Sequence, residues 1–146
     1  MVSSADIIIR LVLAFVLGGV IGIEREKKRR TAGLRTHVLV SMGSCLIMLT
    51  SIHIFDIYKG LTALDPARIA AGVVTGIGFL GGGAIIRSSH DVRGLTTAAT
   101  IWVSAGIGLT AGAGFYLAAV VATLLSLVAL VVLKKVEPRR NYEKEE

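Results

Sequence analysis

The chain has 146 residues, 53% of them apolar and 18% charged, with a mean hydropathy of +0.74. That length is one domain, and a charge content below the roughly 25% of soluble domains, gathered into short blocks between long apolar runs, is the pattern of a membrane protein. The net charge of +6 invites a nucleic-acid reading, but aromatic residues make up 5% and no basic stripe is interleaved with them, so no nucleic-acid partner is expected.

Crossing the hydrocarbon as a helix takes about 20 apolar residues. Five segments approach that length, and the expected fold is an all-α membrane protein of five transmembrane helices. The start, MVSSADIIIR, lacks the positive charge and cleavage site of a secretory signal, so the first helix is expected to remain in the mature protein. The first span covers 7–23 and carries Ala14, Gly18 and Gly22 four residues apart. Asp6 and Arg10 stand one turn apart, placed to pair with each other. A polar block follows, GIEREKKRRTAGLRTH, in which KKRR reads as a topology anchor beside anionic head groups. The second span, 37–55, contains Cys45, the single cysteine. It permits neither an intrachain disulfide nor a Cys-based metal cluster, and reads as a small buried hydrophobe.

The third span, 67–86, opens at Asp65-Pro66, with Asp65 as N-cap and Pro66 at the first helical position. Within it GIGFLG matches G-x-G-x-x-G. A dinucleotide site would also need a preceding strand and an acid about 20 residues on. The sequence offers TTAATI at that distance, so the glycines are not a nucleotide fingerprint. Their first reading is close helix packing in lipid, through Gly72 and Gly76, then Gly78 and Gly82. A second reading starts from Gly81, Gly82 and Gly83, because consecutive glycines cost about 1 kcal/mol each in a helix interior. A helix broken there would expose backbone groups to an ion or anion, with Arg87 beside them. Next comes the block IRSSHDVRGLTT, and the fourth span, 95–111, carries Thr96, Thr100, Ser104, Gly108 and Gly112 at four-residue spacing. A turn at 112–114 makes a tight hairpin with the fifth span, 115–133, completing a transmembrane domain over 1–136. The tail 137–146 is short, charged and expected to be disordered.

Of sixteen Lys and Arg, thirteen fall in the first loop, the third loop and the tail, and only Arg10, Lys59 and Arg68 on the other side. The N-terminus is therefore expected outside and the C-terminus in the cytoplasm. At the cytoplasmic face Glu24, Arg25, Arg35, Arg87, Asp91 and Arg93 are expected to form a polar cluster holding the loops against the helix ends; the alternative is a set of interface anchors and salt bridges without a ligand. His37 and His90 lack metal-site spacing and read as hydrogen-bonding interface residues. The outer carboxylates Asp6, Asp56 and Asp65 make no convincing cage for a hard ion, Asp56 being the weak candidate. Ser88, Ser89, His90 and Asp91 are contiguous, and triad geometry comes from residues brought together by the fold. Neither enzymatic activity nor a cofactor is expected.

Three blocks in order, GGVIGIEREKKRRTAGLRTHVLVSMGS, DPARIAAGVVTGIGFLGGGAIIR and VRGLTTAATIWVSAGIGLTAGAGFY, resemble the membrane domain of the MgtC/SapB family over nearly the whole chain. The resemblance implies a multi-pass bacterial inner-membrane protein tied to growth under magnesium limitation and, in pathogens, to survival inside host cells. It implies a regulator of membrane energetics, including restraint of the proton-driven ATP synthase, more than a magnesium carrier. The motif residues it singles out are Glu24, Arg25, Glu26, Arg35, Thr36, His37, Asp65, Arg68, Arg93, Gly94, Thr97 and Trp102. Virulence-linked members carry Asn at the place of Thr96, Cys at that of Val103 and an acid near Ser88, departures that set this chain apart from their virulence and ATP-synthase roles. The soluble C-terminal domain of many relatives is not expected here. Two readings follow, both with the lipid bilayer as a partner: a regulator or accessory whose small-residue faces contact a second copy or another membrane complex, and a transporter of an ion or small solute through a cavity at the glycine-rich third helix.

Overall fold

The computed structural model describes residues 2–60, 65–89 and 91–133. His90, the tail 137–146 and the basic residues Lys134, Lys135, Arg139, Arg140 and Lys144 lie outside the described residues. The chain order is α1 (Ser4–Lys27), α2 (Leu34–Tyr58), α3 (Pro66–Gly83), β1 (Ile86–Arg87), β2 (Val92–Arg93), α4 (Leu95–Gly112) and α5 (Tyr116–Val128), which widens into a π-helical turn over Ala129–Leu133. Four of the five described helices, α1, α2, α4 and α5 with its π turn, are long and apolar enough to cross a membrane.

Local chemistry sets the helix ends. Ser3 caps α1, its hydroxyl accepting from the Asp6 amide at 3.1 Å. The helix closes through a left-handed residue, Arg29 (φ 51°), with the Arg30 amide returning to the Arg25 carbonyl at 3.1 Å. At α3 the Asp65 carboxylate accepts from the Ala67 amide at 2.8 Å behind Pro66. The Ser51 hydroxyl of α2 donates to the Pro66 carbonyl and ties this start to the bundle.

Glycines let α1, α2 and α4 approach closely. A Cβ at Gly18 would lie 2.7 Å from the His37 carbonyl oxygen, and one at Gly22 would lie 2.7 Å from the Leu34 Cα, so α1 and α2 run antiparallel with backbones in contact. A Cβ at Gly108 would lie 2.0 Å from the Ser41 carbonyl oxygen, and one at Gly112 would lie 2.7 Å from that of Cys45. Advancing together along both chains, these contacts make α2 and α4 parallel. Around them Ala14, Leu17, Ile21, Cys45, Leu49 and Ile107 form the larger apolar core. A smaller one, Ala32, Val73, Ile77, Ile101 and Ala105, holds α3 against α4.

Three features differ from the sequence expectations. Gly81, Gly82 and Gly83 continue the helix, with the Ile85 amide bonding to the Gly82 carbonyl at 3.1 Å; they form its last turn rather than a break within it. Their low propensity costs little where the helix stops anyway. Residues 84–86 are no longer helical, and the chain enters a two-stranded antiparallel hairpin, Ile86 opposite Arg93 and Arg87 opposite Val92. The fold is thus helical with one small hairpin. Thirdly, the packing face of α3 is Val73, Ile77 and Gly81, while Gly72, Gly76, Gly78, Gly82 and Gly83 are exposed and meet nothing within 4 Å of a built Cβ. Both faces share four-residue spacing, and the larger apolar side chains win the bundle because they offer more contact.

Candidate functional site

The polar centre of the molecule lies where the end of α1 meets the starts of α2 and α4. Arg25 is 2% exposed and donates through Nε to Glu24 Oε2 at 2.5 Å, with Nη2 on the same oxygen. The other carboxylate oxygen, Oε1, is buried with no hydrogen-bond partner among the described residues. Glu26, the next residue after Arg25, projects to α2, where its Oε2 accepts from the Leu34 amide at 3.0 Å. That bond caps α2 in place of its N-cap residue, Gly33, which has no side chain to do so. The carboxylate occupies the space a Cβ at Gly33 would take, 1.8 Å away, so the glycine is a condition of the cap.

His37 follows one turn into α2 and is fully buried. Its Nδ1 lies 2.8 Å from the Gly33 carbonyl oxygen and its Nε2 lies 3.1 Å from Thr100 Oγ1 on α4. The Thr100 hydroxyl also lies 2.8 Å from the Thr97 carbonyl oxygen. Along the same α2–α4 contact come the fully buried Ser41 and Ser104, whose hydroxyls have no partner among the described residues. Other helical hydroxyls, those of Ser44, Thr110, Thr123 and Ser126, donate to the carbonyl one turn back in their own helix. The small-residue stripe of α4 therefore joins helices mainly by close approach, and one hydroxyl, that of Thr100, reaches across. Thr96, the first member of that stripe, is exposed, and its neighbour Thr97 is buried.

The sequence grouping separates into two parts. Glu24, Arg25 and His37 come together, with Glu26 as the cap beside them. Asp91 and Arg93 pair on the hairpin, Arg93 Nε donating to Asp91 Oδ2 at 2.5 Å. Arg35 and Arg87 are exposed and Thr36 is half-buried. Gly94 links the hairpin to α4 in the left-handed conformation (φ 91°), and a Cβ there would fall 2.0 Å from the Ala84 carbonyl oxygen, so the Arg-Gly step after the hairpin admits only glycine. At the far end of the bundle Arg10 does not join Asp6, whose carboxylate takes the Ser3 hydroxyl at 2.8 Å. Arg10 Nη1 instead donates to the Gly112 carbonyl at 2.7 Å, completing the C-terminal end of α4. No sequence spacing announces that contact, since the partners are 102 residues apart.

A helical membrane bundle with Arg25 and His37 buried beside a half-buried Glu24 at one end defines the class of protein. The chain belongs to the MgtC family, whose model matches residues 11–139. It is 45% identical over 95% of its length to a protein named "Putative magnesium transporter YhiD" of Escherichia coli (strain K12), 67% of which it covers. It is 40% identical to Protein SapB of Bacillus subtilis (strain 168), with 96% of this chain and 63% of that protein aligned. It is 45% identical to Protein MgtC of Salmonella typhimurium (strain LT2), with 92% of this chain and 55% of that protein aligned. The chain thus spans between about half and two thirds of these relatives. No solved structure matches it.

Proposed function

We propose that the chain is a bacterial inner-membrane protein of five spanning helices, N-terminus outside and C-terminus cytoplasmic, that serves magnesium homeostasis as a regulator or accessory of membrane energetics and ion transport. The name of the YhiD relative supports the link to magnesium. The loop arginines and lysines support the orientation. The observation that carries the regulator reading is the close approach along the polar seam: at Gly108 and Gly112 the backbones of α4 and α2 touch, beside the buried Ser41 and Ser104. Catalysis has no part in this reading. The runner-up, transport of an ion or small solute, finds its support in a groove of about 430 Å³ between α2 and α3, lined by Gly43, Gly72 and Gly76. That groove is apolar; Ser44, its single hydroxyl, is already bonded to the Val40 carbonyl. The test is growth at limiting magnesium of a strain deleted for this gene. The wild-type gene restores growth and an Arg25→Met variant restores it less, at matched membrane abundance. Equal growth with and without the gene would overturn the magnesium link.

A further inference from the structure

The hydrogens around His37 can be counted. The Gly33 carbonyl oxygen, 2.8 Å from Nδ1, can only accept, so Nδ1 carries a hydrogen. Nε2 faces a hydroxyl, which can either donate or accept. With Nε2 bare, the single Thr100 hydrogen points to it. With Nε2 protonated, Nε2–H donates to Thr100 Oγ1, and the hydroxyl hydrogen turns to the Thr97 carbonyl oxygen, already 2.8 Å away. Both protonation states are satisfied by the same heavy-atom positions, and only the hydroxyl rotates.

We infer that His37 is a reversible proton-binding site inside the bundle, with Thr100 as the rotating hydroxyl that serves both of its charge states. The charged groups that face it are Glu24 and Arg25 of α1, one of each sign. Glu26 caps α2 at Leu34, next to Gly33, and α4 presents only the uncharged Thr97 and Thr100. The proton enters beside the Glu24–Arg25 ion pair, in which Glu24 Oε1 is buried with no hydrogen-bond partner among the described residues. Proton loading thereby bears on the pair that fixes the α1–α2 corner, independently of any role in magnesium homeostasis.

The chain has three histidines, so the double variant His53→Gln/His90→Gln leaves His37 as the sole imidazole. Nitrogen NMR of the 146-residue chain, ¹⁵N-labelled at histidine in lipid nanodiscs, is recorded from about pH 8 to about pH 4, across the ordinary imidazole value near 6.5. The expected spectrum at high pH shows Nδ1 protonated and Nε2 bare, and acidification protonates both. Thr100→Ser keeps the midpoint within about twofold in proton concentration. Thr100→Val requires about tenfold more acid, because the charged imidazolium loses the stronger hydrogen bond. A protonated Nε2 with bare Nδ1 at high pH, an imidazole that stays neutral throughout, or a Thr100→Val midpoint equal to that of Thr100→Ser would each overturn the inference. The first two outcomes need no substitution at the site.

Discussion

Placing a methyl group at Gly108 is the sharpest perturbation the helix packing offers. The new Cβ would lie 2.0 Å from the Ser41 carbonyl oxygen, 2.8 Å from its carbonyl carbon and 2.9 Å from the Ser44 Cβ. The first two neighbours are backbone, so no side chain can swing away, and ordinary contact resumes only near 3.4 Å. The helices must part by on the order of 1 Å, a gap that forfeits a quarter to a half of each dispersion contact along the seam. Overpacking of this kind costs about 1–3 kcal/mol. The strained backbone contact puts Gly108→Ala at the upper end, about 3 kcal/mol, or over a hundredfold in the folding equilibrium. Gly76→Ala is the matched control, because nothing lies within 4 Å of its Cβ. Alanine's better helix propensity there gives stabilisation of up to about 1 kcal/mol. The assay is loss of helicity by circular dichroism as sodium dodecyl sulfate is titrated into mixed micelles. A Gly108→Ala protein that unfolds with the wild type, or a Gly76→Ala protein less stable than Gly108→Ala, would refute the reasoning.

Other substitutions probe the two ends of the bundle in the same assay. Glu24→Ala leaves the buried Arg25 guanidinium without its countercharge and is expected to cost about 3 kcal/mol, whereas the double change Glu24→Gln/Arg25→Met recovers most of it; a single variant as stable as the double one would contradict the pairing. Arg10→Met removes the donor to the Gly112 carbonyl and is expected to cost about 1.5 kcal/mol, while Asp6→Asn costs little because Asp6 and Arg10 are not joined. Equal losses at the two positions would restore the pairing that their spacing suggests.

Much of the helical framework is legible in the sequence, because apolar length, a Pro-anchored start at Asp65 and glycine-rich turns each leave a local mark. The stripes of α1 and α4 are legible for the same reason: small residues four apart form one helix face, and Gly18, Gly22, Gly108 and Gly112 are all buried against α2. On α3 the same rule fails, since Gly72 and Gly76 share their period with Val73 and Ile77 and spacing does not say which face turns inward. The two-residue strands Ile86–Arg87 and Val92–Arg93 are too short to show alternation, so they read as loop. Glu24 and Arg25 announce themselves as charges at a helix end. The contact of His37 with Thr100, 63 residues away, depends on parallel packing of two helices that are not neighbours in sequence. Nor does the sequence separate Asp91 and Arg93 from the Glu24 group, because both blocks carry acid and base at the same face; their placement is a property of the hairpin.

The regulator reading and its rival part most directly over ion flux. The purified chain is reconstituted into sealed liposomes holding a magnesium-sensitive dye, and magnesium is added outside with and without a membrane potential. A seam of touching backbones at Gly108 and Gly112 predicts entry at the rate of empty liposomes. Saturable entry above that rate, lost in Glu24→Ala or Arg35→Ala protein that still folds, would contradict the account and make the chain a carrier.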